Sequence, residues 1–118
     1  MKESELQKQV AAYLDLLQNQ GRFVWWHTPN SGGNFKPHIA ALWKKDGVKA
    51  GIPDCLILHK GQIYGIELKR PKTDKQARGT LSKVQKQMFH VLIQNGMPIK
   101  TAWSLDEVKT ILQNWSMI

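Results

Sequence analysis

Long apolar segments, cysteines and acidic side chains are all scarce in this 118-residue sequence. No apolar run approaches the roughly 20 residues that a membrane-spanning helix needs, and residues 23–26 and 55–58 are short runs of four. A single cysteine, Cys55, excludes an internal disulfide and a zinc site made of several cysteines. Residues 1–9 are polar and lack the apolar core of a signal peptide, so we expect a soluble, cytoplasmic protein with no membrane partner.

The scarcity of acids leaves the chain strongly basic. Lysine and arginine together number 17 against 9 acids, which gives a net charge of +8 and an isoelectric point of about 9.8. The apolar share of 42% suits one small globular domain over residues 1–118 and is too high for a disordered tail. Such a charge favours a polyanionic partner without identifying it.

Hydrophobic spacing and turn residues predict alternating helices and strands along the chain. The predicted helices cover Glu3 to about Asn19, residues 37–45, residues 82–95 and a segment that begins at Ser104. The predicted strands cover residues 22–27, 53–58, 62–69 and 97–103, and residues 30–34 form a loop. This order indicates an α/β fold in which helices flank a small mixed sheet, with a hairpin turn at Lys60-Gly61.

Two acidic residues meet across that predicted hairpin. With a two-residue turn at positions 60 and 61, cross-strand partners have numbers that sum to 121, and Asp54 and Glu67 satisfy this condition. Directly opposed residues have Cβ atoms about 4.5–5.5 Å apart. Because side chains alternate along a strand, Lys69 joins Glu67 on one face, while Ile66 and Leu68 point the other way. Three ionisable groups are therefore expected to cluster.

Opposed like charges destabilise a sheet unless something neutralises them, and this cluster has two interpretations. A hard divalent cation would neutralise it, since Mg²⁺ is typically held by one or two carboxylates together with waters and phosphate oxygens. Alternatively, Lys69 alone balances the two acids in an exposed ion-pair cluster, an arrangement that contributes only ~0–1 kcal/mol. The sequence leaves both interpretations open.

Two further residues have both a structural and a functional interpretation. Glu3 lies within the apolar arc of the first helix, whereas Glu5 lies on the opposite side. An acid on that arc is unusual unless it serves a site, although a first-turn acid also interacts favourably with the helix dipole. Gln85 completes a capping-box pattern that begins at Ser82, and it could equally point toward the acid cluster.

The chain resembles a known nuclease family in three ordered motifs. These are Gly51-Ile52-Pro53-Asp54, then Glu67-Leu68-Lys69-Arg70-Pro71 after twelve residues, then Leu81-Ser82-Lys83-Val84-Gln85. Together they are similar to a VRR-NUC domain of the PD-(D/E)XK nuclease superfamily, in the small standalone form carried by bacteriophages. The resemblance extends over nearly the whole chain, from Glu3 to the helix at Ser104.

The resemblance implies a core of αβββαβ order and a set of catalytic residues. By the family pattern, Asp54 and Glu67 would hold Mg²⁺ or Mn²⁺ with help from the Leu68 carbonyl. Lys69 would orient or help deprotonate the attacking water and offset the charge that develops on the phosphate. Gln85 would support that water or Lys69. A phage-encoded protein of this kind would act in the cytoplasm of the host cell.

The family also has an acid on its first helix, three positions before an apolar-Gln pair. Glu3 precedes Leu6-Gln7 by three positions and is the better match, with Glu5 as the alternative. The resemblance therefore implies that Glu3 contributes to the metal site, either directly or through water.

Basic residues concentrate between Lys60 and Lys86. This stretch holds eight basic residues and two acids, a net +6 of the chain's +8. The predicted DNA contacts, for which a solvated basic loop is the alternative explanation, are Lys60, Arg70, Lys72, Lys75, Arg78, Lys83 and Lys86. Asn30-Ser31-Gly32-Gly33 resembles a loop near the active site of archaeal Holliday-junction resolvases, which implies that Ser31 contacts the DNA backbone or a metal-bound water.

We therefore expect a Mg²⁺- or Mn²⁺-dependent endonuclease that prefers branched or four-way junction DNA. The resemblance to junction resolvases implies a homodimer, which places two active sites on one junction. Two alternatives are a relaxed nuclease or nickase without junction preference and a DNA-binding module that has lost catalysis. No Walker A loop, Gly-x-Ser-x-Gly elbow or His-Glu-x-x-His motif is present, and we expect no nucleotide cofactor.

Overall fold

A computed structural model describes residues 1–28 and 37–118 of the chain. Its elements in chain order are α1 (Glu3–Asn19), β1 (Val24–His27), α2 (Pro37–Lys45), β2 (Cys55–His59), β3 (Gln62–Leu68), α3 (Lys83–Gln94), β4 (Ile99–Ala102) and α4 (Leu105–Asn114). The predicted α/β class and element order are confirmed, although β2 begins at Cys55 rather than at residue 53. The predicted loop at 30–34 lies outside the described residues.

The four strands of the described chain form one mixed sheet in the order β1-β2-β3-β4. β2 is antiparallel to both β1 and β3, whereas β3 and β4 are parallel. At the hairpin between β2 and β3, Lys60 and Gly61 have φ angles of 49° and 80°, the positive values that tight hairpin turns favour. Cys55 pairs with Ile66, so the predicted register, in which partner numbers sum to 121, is confirmed.

The hydrophobic core lies between one face of the sheet and the helices α1 and α4. Apolar residues spaced three or four apart give each helix one buried stripe, and alternate strand residues cover that stripe from the other side. Trp25 packs against this core, whereas Trp26 points to the opposite face and remains 39% exposed. The buried core residues are Leu6, Val10, Leu14, Leu17, Phe23, Cys55, Ile57, Ile66, Leu68, Ala102, Val108, Leu112 and Met117.

Helix α3 begins with the predicted capping box. The Oγ of Ser82 accepts from the Gln85 amide at 3.1 Å, and the Gln85 side-chain oxygen accepts from the Ser82 amide at 2.9 Å. The segment before β2 packs against this helix at Gly51, whose φ is 82°. A Cβ at Gly51 would lie 3.0 Å from the Val84 carbonyl oxygen, so the close approach requires glycine.

Helix α2 stands apart from the core. It has no buried residue, and Leu42 on this helix is 57% exposed. None of the helices in residues 1–28 and 37–118 is both long and apolar enough to cross a membrane.

Candidate active site

Asp54 and Glu67 meet at the end of the hairpin that lies opposite its turn. The backbone amide of Asp54 donates to Oε1 of Glu67 at 3.1 Å, and the amide of Leu68 donates to Oδ2 of Asp54 at 2.9 Å. Each side chain is thus held by the backbone of the facing segment, and the predicted opposition of these two residues, here called the carboxylate pair, is confirmed. The pair is 6% and 0% exposed, so the alternative of an exposed ion-pair cluster is wrong.

Lys69 provides the positive charge nearest to the pair. Its Nζ lies 3.3 Å from Oε2 of Glu67, and its side chain is only 13% exposed. Its backbone amide donates to the Ala102 carbonyl at 3.0 Å, which continues the pairing of β3 with β4. The alternation of β3 therefore brings Lys69 to the face predicted for it, where one ammonium faces two carboxylates.

Gln85 fulfils both of the roles considered for it. Its side-chain oxygen caps α3 through the Ser82 amide, while its Nε2 donates to Oε2 of Glu67 at 2.8 Å. A carboxamide has an acceptor end and a donor end, so one side chain serves both contacts. The cap also fixes which end faces the site: the donor end points at the carboxylate.

The end of β1 anchors the backbone beside Asp54, a feature that the sequence did not predict. The Thr28 amide donates to the Asp54 carbonyl at 2.9 Å, and Nδ1 of His27 lies 2.8 Å from the same oxygen. The Thr28 hydroxyl donates to the Pro53 carbonyl. In the sequence, His27 and Thr28 stand out only as the residues at the end of an aromatic strand. Their contacts with the Asp54 backbone arise from the pairing of β1 with β2, which the sequence alone did not specify.

Burial makes the carboxylate pair hard to ionise. It raises the pKa of Glu67 to about 7, with a further increase from the charge of Asp54 and a decrease from Lys69. Burial also raises the pKa of Asp54, against the opposing effect of the hydrogen bond from Leu68. When two carboxyl groups lie close together and are shielded from water, one of them tends to stay protonated near neutral pH. A cation bound between them would displace that proton.

The helix that carries Glu3 contacts this end of the sheet, but Glu3 is not part of a three-ligand group among the described residues. One helical turn after it, the Gln7 side chain donates to Sγ of Cys55 at 3.8 Å, and Cys55 directly follows the first acid of the pair. Glu3 is half-buried and Glu5 is exposed, as expected if Glu3 is the inward-facing acid. Among the described residues, no group of three or more His, Cys, Asp or Glu side chains is arranged to hold a metal ion. A contribution of Glu3 through water stays a prediction.

The segment of residues 70–79, here called the basic loop, is folded back on itself beside the site. The Arg70 guanidinium donates to the Ala77 carbonyl at 2.8 Å, and the Gly79 amide donates to the Arg70 carbonyl at 2.8 Å. Arg70 therefore shapes the loop, in addition to any contact with DNA. The exposed cations of the loop are Lys72, Lys75 and Arg78.

The other predicted DNA contacts differ in their distance from the carboxylate pair. Lys83 and Lys86 are exposed near the start of α3, on either side of Gln85. Lys60 occupies the hairpin turn, about 20 Å from Asp54 because β2 rises roughly 3.4 Å per residue between them. Lys60 therefore lies far from the carboxylate pair, and its contact with DNA stays a prediction. Ser31 lies outside the described residues.

Comparisons of the chain with protein-family models, with curated proteins and with solved structures find no match. The chemistry of the site is therefore inferred from its own geometry. A buried carboxylate pair, a lysine within 3.3 Å of it and a glutamine that donates to it form one connected group. Such a group can bind a hard cation and orient a water molecule beside it.

Proposed function

We propose that the chain is a Mg²⁺- or Mn²⁺-dependent endodeoxyribonuclease with a PD-(D/E)XK core of the VRR-NUC type. The observation that carries the proposal is the buried carboxylate pair in contact with Lys69 and Gln85. A purely structural ion pair would need one carboxylate for one lysine, whereas here Lys69 contacts Glu67 and a second buried carboxylate, Asp54, lies against the same group. Two buried carboxylates this close favour a shared proton or a bound cation between them, and the cation is the interpretation proposed here.

The donor set suits a small, hard cation. Mg²⁺ commonly takes one or two protein carboxylates and completes its octahedron with waters and phosphate oxygens. Asp54 and Glu67 would hold the ion, and the Leu68 carbonyl is the proposed third ligand. When bound, such an ion polarises the phosphate and lowers the pKa of water, which together permit phosphodiester hydrolysis near neutral pH.

The protein side chains would orient the reactants. Lys69 uses one N–H toward Glu67 and has two more for the attacking water or a phosphate oxygen. Its charge would offset the negative charge that develops on the phosphate during attack. Gln85 is a positioning residue, since its Nε2 holds the carboxylate of Glu67 in one orientation.

The charge distribution supports DNA as the substrate. The exposed cations of the basic loop follow Lys69 in the chain, and those at the start of α3 neighbour Gln85, which contacts Glu67, so both groups would contact phosphates of DNA bound at the pair. Binding of this kind releases counterions and depends steeply on salt.

A homodimer acting on branched DNA is the finer part of the proposal. On the sheet face opposite the core, Val24 pairs with Leu58 and Leu58 with Ile63, and all three are exposed together with Trp26. A contiguous exposed apolar patch of this kind is typical of an interaction surface. A second copy packed there would bring two sites into one particle, as paired incision of a four-way junction requires. Light scattering after size-exclusion chromatography tests the dimer.

The activity is tested with four-way junction, flap, duplex and single-stranded DNA in Mg²⁺, Mn²⁺ or EDTA. We expect metal-dependent cleavage that Asp54→Ala and Lys69→Ala abolish, with DNA binding close to wild type. Asp46→Ala and Lys8→Ala make the same chemical changes at exposed positions and should cleave normally. Wild-type cleavage by the Asp54→Ala protein would show that the pair is not the catalytic centre.

The substrate profile also separates the alternatives. Symmetric paired incisions in a junction support a resolvase, and equal cutting of all substrates indicates a relaxed nuclease. Binding without cutting under every condition indicates a DNA-binding module that lacks catalysis.

A further inference from the structure

An open pocket of about 500 Å³ lies beside the proposed catalytic site and has no role in the hydrolysis described above. Its volume falls within the usual range for small-ligand sites. Three parts of the chain form most of its wall: helix α1, the basic loop and the segment from Trp103 into the first turn of α4. The wall residues used below are Gln9, Pro71, Lys72, Trp103 and Leu105, and the wall also includes one acid, Asp106.

The pocket is linked to Lys69 by direct contacts. Trp103 follows Ala102, whose carbonyl accepts from the Lys69 amide at 3.0 Å. The indole Nε1 of Trp103 donates to the Gly79 carbonyl at 2.7 Å. Gly79 in turn packs on Lys69, since a Cβ at Gly79 would lie 3.4 Å from the Lys69 Cβ. A group bound in the pocket would therefore contact Trp103, which is joined to Lys69 through Ala102 and Gly79.

The Trp103 ring in the pocket wall is held in place by neighbouring residues without a ligand. The guanidinium of Arg78 lies 3.8 Å from the centre of the Trp103 ring, in addition to the indole hydrogen bond. Trp103 is part of the pocket wall as well, so this ordered ring is available to a ligand there. A ring that is already ordered loses little conformational entropy when a ligand stacks on it.

We propose that this pocket receives one unpaired nucleobase of the DNA substrate, adjacent to the scissile phosphate. The inference rests on the proposed nuclease function, because it takes DNA as the ligand. Trp103, Pro71 and Leu105 offer apolar surface to the flat faces of a base, Gln9 offers an amide to its polar edge, and Lys72 offers a charge to its phosphate.

This occupant also explains why branched DNA would be preferred. A base within an intact duplex has both faces stacked and cannot enter a pocket without being unstacked and unpaired. Bases at a flap, a fork or the crossing point of a junction meet a smaller energetic barrier. The pocket would therefore select substrates that already have an unpaired nucleotide near the cleavage position.

The test uses forked DNA whose unpaired nucleotides are replaced, one position at a time, by an abasic nucleotide or by 2-aminopurine. Binding is measured in EDTA, so that no cleavage occurs. We expect one abasic position to weaken binding roughly 5- to 150-fold, the range reported by alanine substitution for base stacking on aromatic side chains. The fluorescence of 2-aminopurine should be quenched most strongly at that same position. Equal affinity at every abasic position would overturn the proposal, and this comparison needs no protein variant.

Variants of Trp103 identify the stacking partner. Trp103→Leu should remove the difference between the abasic and the normal substrate, whereas Trp103→Phe, which keeps an aromatic ring, should retain most of it. Retention of the full difference by a folded Trp103→Leu protein would also overturn the proposal.

The pocket and the nuclease function can fail separately. If base-dependent binding is observed but no DNA is hydrolysed in Mg²⁺ or Mn²⁺, the nuclease function fails and the pocket stands. If DNA is hydrolysed with no dependence on any unpaired base, the pocket fails and the nuclease function stands.

Discussion

The carboxylate pair should destabilise the metal-free protein as the pH rises. The pKa of Glu67 is raised from 4.5 to about 7 in the folded chain, so the folded state binds more protons than the unfolded state between these values. Stability therefore falls as the pH increases from about 4.5 to 7 and then levels off. At 1.36 kcal/mol per pKa unit, the cost at pH 8 is about 3 kcal/mol.

The substitution Asp54→Asn should relieve part of that cost. Asn keeps an oxygen to accept from the Leu68 amide and removes the charge that raises the pKa of Glu67. We expect the variant in EDTA at pH 8 to be more stable than wild type by about 1–2 kcal/mol, or roughly 4–8 °C in melting temperature. The advantage should shrink at pH 5, which lies below the pKa of Glu67 in the wild type, because the wild type then avoids most of that cost.

Thermal unfolding at pH 5, 6, 7 and 8, with EDTA or with Mn²⁺, measures this effect. Mn²⁺ should stabilise the wild type increasingly toward pH 8 and should leave the Asp54→Asn protein nearly unchanged, because the ion binds the deprotonated pair. Asp46→Asn, an exposed control with the same change in charge, should follow the wild type. A variant no more stable than wild type at pH 8 in EDTA, or an advantage equal at pH 5 and pH 8, would refute the electrostatic reasoning.

Three further predictions follow from individual contacts. Ser82→Ala should cost about 1 kcal/mol of stability through the lost cap and leave the cleavage rate nearly intact. Gln85→Ala should lose similar stability and should also slow cleavage at saturating substrate, because it removes the contact with Glu67. Equal cleavage rates for the two variants would contradict a role of that contact in catalysis. Gly51→Ala should destabilise the fold by more than 1 kcal/mol in denaturant titration, since the added Cβ meets the Val84 carbonyl at 3.0 Å and φ is 82°. Lys75→Ala should lower the salt dependence of duplex binding by about 0.9 in log–log slope if it contacts one phosphate, and an unchanged slope would exclude that contact.

The sequence was most informative where structure follows from local rules. The sequence predicts a two-residue turn at Lys60-Gly61, and the positive φ angles of both residues in the structure agree with it. That turn sets the strand register, which brings Asp54 opposite Glu67. Residue alternation then determines the face on which Lys69 lies. These steps need only the position of the turn and the alternation of side chains along a strand. The proximity of Asp54, Glu67 and Lys69 could therefore be predicted from the sequence alone.

Features that depend on packing between distant segments could not be derived in this way. The burial of the pair requires α3 and the end of β1 to close over it, and no local pattern specifies that closure. The distance of Lys60 from the site was missed because charges were counted along the chain, whereas the hairpin separates its turn from its open end. The ordering of Trp103 by Arg78 and Gly79 likewise joins residues more than 20 positions apart.

The most direct test of the account is the position of a bound cation. Crystals grown or soaked with Mn²⁺ should show an anomalous difference peak between the side chains of Asp54 and Glu67, about 2.1 Å from an oxygen of each, at the distance typical of a small octahedral cation. The same crystals of the Asp54→Ala protein should lack the peak. A wild-type protein that cleaves DNA in Mn²⁺ yet binds the ion away from these two carboxylates would contradict the assignment of the site.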